Sequence, residues 1–544
     1  MRTSRSHSES RRVASPILAT VLLAVALAVL AAAPALGATS AAAGQAREVL
    51  VVSNNWDGTA DFIDPQTFKR LTRLNIIPDK QERMAEIESD PAKLGYFLGI
   101  RELVGEGHDQ FVDDSFTSPD GRFLYVSRPS FADVVAFDLS TEKIVWRTPV
   151  AGYRADHMAI SPDGTRVLVS ASTAKMVHSI DTSDGRIVGN FPSGDQPHEN
   201  NFSRDGKLIY HASIGSVFTP ADDPVMDALK GDRYLQIVDA STLQILRRID
   251  MGQKLDEFGR PDMSGAVRPM ALSPDETTLY FQVSFFHGFV EYDLEADKVL
   301  RLADLPLSDE AKGKRRDEYL LDSAHHGLAM NPEGTKLCAA GTISDYAAIV
   351  SRTTFKHTIV PVGQKPYWST NSADGRYCFV SVSGDDRVSV ISYDTEKEVA
   401  RFPVGDHPQR MRMGTAVLAA DSAPAADAMR LTVSPRRARV GRRTAFRFQA
   451  TRRDAQPVQG AVVRFAGGSA RTDSTGNATM VRSLRRPGIF RARATKAGIE
   501  AASARVTAVR QRRGRGSDGD CSPQRGEQRR TGPHAQRCQR VGDG

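Results

Sequence analysis

Short apolar runs separated by turn signals fill the chain between residues 48 and 413. In the clearest stretch, an apolar run over 157–160 leads into a Ser-Pro-Asp-Gly turn, and further runs follow over 167–170, 176–181 and 186–191. Short runs rich in Val and Ile are typical of β-strands, and Asp-Gly turns join neighbouring antiparallel strands. The pattern therefore predicts a sheet of four antiparallel strands in this stretch.

The same turn phrase, with small variations, occurs six times along the chain. Its copies begin at Ser118, Ser161, Ser203, Ser273, Asn331 and Ser372. The spacings between them are 43, 42, 70, 58 and 41 residues. A period near 42 residues, with two insertions, indicates a β-propeller that has one four-stranded blade per repeat.

A seventh blade is predicted at the start of the repeat region, where the turn phrase is missing. Its second, third and fourth strands are expected over 49–53, 59–63 and 71–76, and its first strand over Gln409 to Met413 at the other end. This pairing would close the ring and remove the exposed sheet edges. The fold class predicted for 48–413 is thus all-β, a seven-bladed β-propeller whose ring is closed by a C-terminal strand.

The repeats resemble those of YVTN-type seven-bladed propellers, which occur in secreted and surface-layer proteins of bacteria and archaea. The resemblance rests on the Ser-Pro-Asp-Gly turns and on the segments 50–54, 180–182, 388–392 and 404–408. It implies a binding or scaffold module, although the architecture also serves some enzymes.

The N-terminus has the pattern of an export signal. Arg2, Arg5, Arg11 and Arg12 precede an apolar run over 17–33, and small residues follow at the positions that a signal peptidase reads. We therefore expect residues 1–37 to be a cleaved signal peptide and the protein to be secreted or held at the cell surface. The alternative is a retained N-terminal anchor, because the run reaches the short limit of a membrane span.

The C-terminal part is predicted to contain a second, small domain. Residues 414–427 are rich in Ala, Asp and Ser and are expected to form a linker. Six short alternating strands over 428–509 predict an Ig-like β-sandwich, and the segments 458–463 and 472–476 resemble bacterial Ig-like repeats. Residues 510–544 have almost no apolar content, so we expect a disordered basic tail.

Charge is distributed unevenly along the chain. The net charge is +7 for the whole chain, but residues 48–427 carry a net charge of −17. Residues 428–509, in contrast, contain 18 basic and only three acidic residues. An anionic cell-envelope polymer is one expected partner of the basic Ig-like domain, and a solvated Arg-rich surface is the alternative. Because the basic residues lie outside the main domain of an exported protein, the sequence argues against nucleic acid as a partner.

Four insertions are predicted on one face of the propeller, and we expect an unknown ligand or protein to bind there. They span 77–110, 216–232, 252–266 and 306–324, and the first has helical spacing at Leu94, Phe97, Leu98 and Val104. The alternative is that insertions are merely tolerated on this face.

The innermost strands should begin on the same face and line a central funnel with polar side chains. The predicted ligand-binding residues are Asp113, Asp156, His157, His198, Glu199, Arg268, His326, Tyr367 and Trp368, with Asp114 and Gln409 at equivalent positions. His198, His325, His326 and His407 are candidate ligands of a divalent or transition-metal ion, because imidazole suits such metals. The alternative is an ordinary solvated channel lining.

Familiar catalytic signatures are absent from the sequence. It contains no Gly-x-Ser-x-Gly, His-Glu-x-x-His, P-loop or Cys-x-x-Cys motif. Cys338 and Cys378 lie in second strands of consecutive blades, and their unequal offsets from the turns favour buried free thiols. The sequence predicts an exported, non-catalytic binding or surface protein; the alternative is a metal-dependent enzyme, a lactonase-like hydrolase or an oxidase, with its site in the funnel.

Overall fold

The computed structural model describes residues 45–217, 226, 229–418, 429–452, 456–496 and 499–510. The chain divides into two compact units, residues 1–422 and residues 423–544. The predicted signal peptide, most of the predicted linker and nearly all of the predicted tail lie outside the described residues.

The described part of the first unit is all-β, with seven four-stranded antiparallel sheets. Six sheets use four consecutive strands each, from β4–β7 to β24–β27, and the seventh has the order β28-β1-β2-β3. The strands are β1 Arg47–Asn54, β2 Thr59–Ile63, β3 Arg70–Asn75, β4 Ser115–Thr117, β5 Phe123–Arg128, β6 Asp133–Asp138, β7 Lys143–Pro149, β8 Ala155–Ile160, β9 Arg166–Ala171, β10 Met176–Asp181, β11 Ile187–Pro192, β12 Pro197–Phe202, β13 Leu208–Ser213, β14 Leu235–Asp239, β15 Ile245–Ile249, β16 Val267–Leu272, β17 Thr278–Val283, β18 Gly288–Asp293, β19 Lys298–Asp304, β20 Gly327–Met330, β21 Lys336–Gly341, β22 Tyr346–Ser351, β23 His357–Pro361, β24 Pro366–Asn371, β25 Tyr377–Val382, β26 Arg387–Ser392, β27 Lys397–Pro403 and β28 Pro408–Ala416.

The predicted closing strand is confirmed. Strand β28 pairs antiparallel with β1, with Met411 opposite Val52 and Met413 opposite Leu50. It continues to Ala416, three residues beyond the predicted end, so the predicted linker starts too early. The extra residues stay in register because Ala416 is buried and the next backbone N–H, that of Val417, donates to Gly121 at 2.7 Å.

Contacts between the sheets follow a closed cycle. The first strand of each sheet, β28, β4, β8, β12, β16, β20 or β24, contacts the first strand of the next, and β24 contacts β28. Apolar side chains fill the layers between neighbouring sheets, as Val380, Val382 and Ile391 do against Ile349. This arrangement is consistent with a β-propeller, in which the faces of each sheet are buried by its neighbours.

The repeated turn phrase has a physical basis in its Ser side chain. Ser118 Oγ accepts the backbone N–H of Arg122 and of Phe123 and donates to Asp120. Gly121 has φ +72°, a conformation that favours glycine. The same Ser-to-backbone bond recurs at the positions of the other Ser copies, and Asn331 replaces it with its side-chain oxygen.

Helices occur in the insertions. They are α1 Lys80–Glu88, α2 Pro91–Leu103, α3 Met251–Glu257 and α4 Asp309–Lys312, with single 3-10 turns at Pro129–Phe131, Ser172–Ala174, Arg316–Glu318 and Leu320–Asp322. Helix α2 buries Phe97 and Ile100, whereas Leu98, which shares the predicted helical spacing, is 45% exposed. Among the described residues, no helix combines the length and the apolar character that crossing a membrane requires.

The two buried cysteines are bonded, so the prediction of free thiols is wrong. Cys338 in β21 and Cys378 in β25 form a disulfide across a Cα–Cα distance of 6.5 Å. Both side chains lie in the same buried layer between two consecutive sheets. The unequal offsets from the turns therefore did not prevent the side chains from meeting.

The second unit has its own core between two sheets. One sheet has the order β29-β31-β34 and the other β30-β36-β35-β32-β33. The strands are β29 Met429–Ser434, β30 Arg437–Arg439, β31 Arg443–Arg452, β32 Val462–Phe465, β33 Gly468–Arg471, β34 Asn477–Ser483, β35 Gly488–Lys496 and β36 Ile499–Val509. Six of these strands were predicted; the short strands β30 and β33 were missed because they carry almost no apolar pattern.

Candidate functional site

The starts of the innermost strands of the first unit surround one narrow polar cavity. Seven of the nine predicted ligand-binding residues line it: Asp113, Asp156, His157, His198, Arg268, His326 and Tyr367. Gln110, Arg154, Gln196, Gln409 and Arg410 add further polar groups. Val104, Val217 and Leu321, which belong to three of the four predicted insertions, complete the wall. Three of the insertions therefore contribute to the cavity wall.

Three buried imidazoles from three different sheets meet in this cavity. The ring centroids of His157 and His198 are 3.6 Å apart, and that of His326 lies 5.6 Å from His198 and 6.1 Å from His157. One nitrogen of each ring lies within 4.8 Å of the others. Three side chains that are distant in sequence thus present ligand atoms to a single point.

A side-chain hydrogen bond fixes the ring of His157, whereas His198 and His326 each keep one nitrogen without a partner among the described residues. Nδ1 of His157 is hydrogen-bonded to Oε2 of Glu199 at 2.6 Å, so Nε2 is the nitrogen that remains for a ligand. Nδ1 of His198 and Nδ1 of His326 have no hydrogen-bond partner within the described part of the chain. The ring of His326 stacks on Tyr367 at 4.0 Å.

The three imidazoles are held in their neutral form. Burial lowers the pKa of His157, His198 and His326 well below the ordinary value, and the positive charge of Arg410 adds to the effect. A neutral imidazole keeps a nitrogen lone pair, which is the form that binds a metal ion. Three such groups suit Zn²⁺ and other first-row transition-metal ions.

Carboxyl groups flank the imidazoles. Burial raises the pKa of Asp113 to about 7, against the opposing effect of Arg410, whose Nη1 donates to Asp113 at 2.5 Å. Burial likewise raises the pKa of Glu199 to about 7. Asp113, Asp156 and His157 form a second group whose ligand atoms lie within 4.8 Å of one another. Asp113 can therefore exchange a proton near neutral pH beside the histidine cluster.

Two predicted residues, Glu199 and Trp368, lie behind the cavity wall. Glu199 acts on the cavity through the His157 ring that it orients. The guanidinium carbons of Arg410 and Arg412 lie over the Trp368 ring, at 4.9 and 4.8 Å from its centroid. Asp114, which directly precedes β4, is bound by Arg412.

Two of the four predicted metal ligands, His325 and His407, are not among the residues that line the cavity. The ring of His325 turns away from the cavity, and its Nε2 lies 3.2 Å from the hydroxyl of Tyr346. Of the adjacent pair His325 and His326, only His326 is among the residues that line the cavity. His407 precedes β28 with φ +56° and stacks on Trp56 at 3.8 Å. The cluster of three consists of His157, His198 and His326.

Sequence reasoning missed two arginines of the site. Arg410 follows Gln409, so it occupies the repeat position of His157, Glu199 and Trp368, and the register could have revealed it. Arg154 precedes β8 and has no equivalent signal in the repeat; its Nη1 donates to Gln110.

No family model and no curated protein matches the chain. Among solved structures, it is similar to a chain of hydrazine synthase from Kuenenia stuttgartiensis, with 18% identity and a TM-score of 0.43. The likeness covers 62% of this chain and 89% of that chain. At this level of similarity it carries no argument about ligand or activity.

Proposed function

We propose that the protein is an exported seven-bladed β-propeller of YVTN type that binds a divalent transition-metal ion in its central funnel. His157, His198 and His326 are the protein ligands. The observation that carries this proposal is the convergence of three buried, neutral imidazoles with their ligand atoms within 4.8 Å of one another. Burying polar rings without partners costs free energy, and a metal ion would supply the missing partner of His198 and His326.

Support for the rest of this assignment comes from several parts of the chain. The seven sheets and their cyclic contacts support seven blades. Two facing sheets with a common core support an Ig-like module over 429–509. The N-terminal arginines and the apolar run over 17–33 support export, and so does the Cys338–Cys378 disulfide, because disulfides persist in oxidising compartments.

A cobalt titration tests the metal site. The full chain, stripped with a chelator, is titrated with Co²⁺ while its visible absorption is recorded. We expect one equivalent to bind, and we expect His326→Ala to weaken binding by at least a hundredfold. His325→Ala is the matched control, because His325 is adjacent and equally buried but lies outside the cavity. Equal losses in both variants would contradict the proposal.

A metal-dependent enzyme is a second candidate, and Asp113 favours it. A carboxyl group with a pKa of about 7 beside a metal site is suited to general acid–base catalysis near neutral pH. The test measures lactone hydrolysis by the metal-loaded chain and by its Asp113→Asn variant. If the metal-loaded chain hydrolyses the lactone, and the variant retains the metal ion but loses this activity, the result supports an enzyme. If hydrolysis by the metal-loaded chain does not exceed that by the free metal ion, the result supports the binding role only.

The second unit supplies the proposed contact with an anionic envelope polymer. Its 18 basic residues over 428–509 include exposed Arg443, Arg447 and Arg464. Attraction between such a surface and a polyanion falls as salt increases. Retention of the full chain on immobilised polyphosphate should therefore fall with salt and with Arg443→Glu/Arg447→Glu, and salt-independent retention would refute this contact.

A further inference from the structure

Arg410 is a buried guanidinium with an unused edge. It comes from the closing strand β28, lines the cavity and is 1% exposed. Its Nη1 donates to Asp113, but Nε and Nη2 have no hydrogen-bond partner among the described residues. Asp114 lies 3.9 Å from Nε, beyond hydrogen-bond distance. Buried guanidinium groups are normally paired, so these two donors call for a ligand.

The same edge of other arginines in this protein holds a carboxylate. Nε and Nη2 of Arg412 donate to the two oxygens of Asp114 at 2.9 and 2.8 Å. Arg128 holds Asp133 in the same way, at 2.7 and 2.8 Å. Two parallel N–H groups match the two oxygens of a carboxylate or a phosphate. The corresponding edge of Arg410 makes no such hydrogen bonds, and the nearby Asp114 carboxylate stays 3.9 Å from its Nε.

The formal charges of the cavity wall also favour an anion. Arg154, Arg268 and Arg410 line it against two carboxyl groups, those of Asp113 and Asp156. The histidines contribute no charge because they are neutral. A divalent metal ion would add two further positive charges, so the wall and the metal together attract an anionic ligand.

We infer that the cavity binds a small oxyanion, a carboxylate or phosphate group, on the Nε and Nη2 edge of Arg410 beside the three histidines. The inference rests on the proposed function in one respect: when the metal ion is bound, the anion would be a ligand or a substrate beside it. The narrow cavity and the insertion residues Val104, Val217 and Leu321 in its wall limit the ligand to a small molecule.

Calorimetric titration with acetate and with inorganic phosphate tests this inference. The full chain is used in its chelator-stripped form and, for acetate, also with Co²⁺ bound. We expect Arg410→Gln to lower the affinity for the preferred anion at least tenfold in every form that binds it. Arg301→Gln is the control, because Arg301 also donates to a buried carboxyl group, that of Glu291, but is not part of the cavity wall. The two probes distinguish a carboxylate from a phosphate ligand.

The outcomes separate this inference from the proposed function. Anion binding to the stripped chain that Arg410→Gln removes supports the anion site even if no metal ion binds. Failure of both anions to bind in any form, or equal losses in the two variants, overturns the inference. Should Arg410→Gln not fold, selenate is soaked into crystals of the unaltered chain. An anomalous peak within hydrogen-bond distance of Arg410 Nε and Nη2 then supports the site, and its absence there overturns it.

Discussion

His157 and Glu199 form a buried pair, with Nδ1 of the imidazole 2.6 Å from Oε2 of the carboxyl group. Asn201 donates to the other carboxyl oxygen at 3.3 Å, so the carboxyl group itself is held in place. The two residues come from neighbouring sheets, and the bond sets which ring nitrogen of His157 faces the cavity. A carboxylate behind a histidine is a common means of orienting a metal ligand.

Replacing this carboxyl group should weaken metal binding without removing a ligand. We expect Glu199→Gln to lower Co²⁺ affinity by roughly tenfold to a hundredfold, because the His157 ring loses its orientation. Glu291→Gln is the control, since Glu291 is a buried carboxyl group of another sheet that binds Tyr280 and Arg301. If Glu199→Gln binds Co²⁺ as tightly as the unaltered chain, Glu199 does not orient a ligand.

The closing strand should be essential for the stability of the first unit. A chain that ends at Asp406 lacks β28, so β1 loses its partner and the sheet edge becomes exposed. We expect the free energy of unfolding to fall by several kcal/mol. A chain that ends at Leu418 keeps β28 and is the control. Equal melting temperatures of the two truncated chains would show that the closing strand contributes little.

The disulfide should stabilise the unit by restricting the unfolded chain. Cys338 and Cys378 are separated by 40 residues. A loop of this size corresponds to roughly 3–4 kcal/mol of stabilisation. Denaturant unfolding of the oxidised chain and of Cys338→Ala/Cys378→Ala measures the difference. A variant that unfolds at the same denaturant concentration as the oxidised chain would exclude this contribution.

His211 should make folding sensitive to acid. Burial lowers its pKa to about 3, and its Nε2 lies 2.7 Å from the hydroxyl of Ser193. In the unfolded chain the group takes up a proton below about pH 6.5, but in the fold it stays neutral, so its contribution to stability is lost as the pH falls. Between about pH 7.5 and about pH 5 the stability advantage over His211→Gln should fall by about 2 kcal/mol. A difference that is constant with pH would contradict this pKa.

Asp113 and Glu199 act in the opposite direction over part of the same range. Their pKa values are raised to about 7, so each stabilises the fold less as the pH rises from about 4 towards 7. Comparing His211→Gln with the unaltered chain cancels these two contributions, because both proteins retain the two carboxyl groups.

The repeat allowed much of the first unit to be predicted. A Ser or Asn side chain that binds the turn backbone leaves a local signal in the sequence, and in five of the six copies a positive-φ glycine such as Gly121 follows it. The ring closure followed from counting strands. The funnel positions followed from the register, because the residue five places before each turn phrase lies within two residues of the start of an innermost strand.

What the sequence could not supply was side-chain direction. His325 and His326 are adjacent residues of the same type, so the sequence does not indicate which of the two rings enters the cavity. The path of the backbone decides this. His407 also lies outside the cavity lining, where the backbone turns just before β28. The Cys338–Cys378 bond depends on the distance between two strands of neighbouring sheets, which spacing along the chain does not define.

Elemental analysis of the purified full chain tests the central claim most directly. The chain is loaded with Zn²⁺, passed through a desalting column and measured for zinc per chain, together with the His198→Ala/His326→Ala and His325→Ala variants. We predict one zinc per chain in the unaltered protein and in His325→Ala, and none in the double variant that remains folded. Zinc retained equally by all three proteins, or by none of them, would contradict a metal site at His157, His198 and His326.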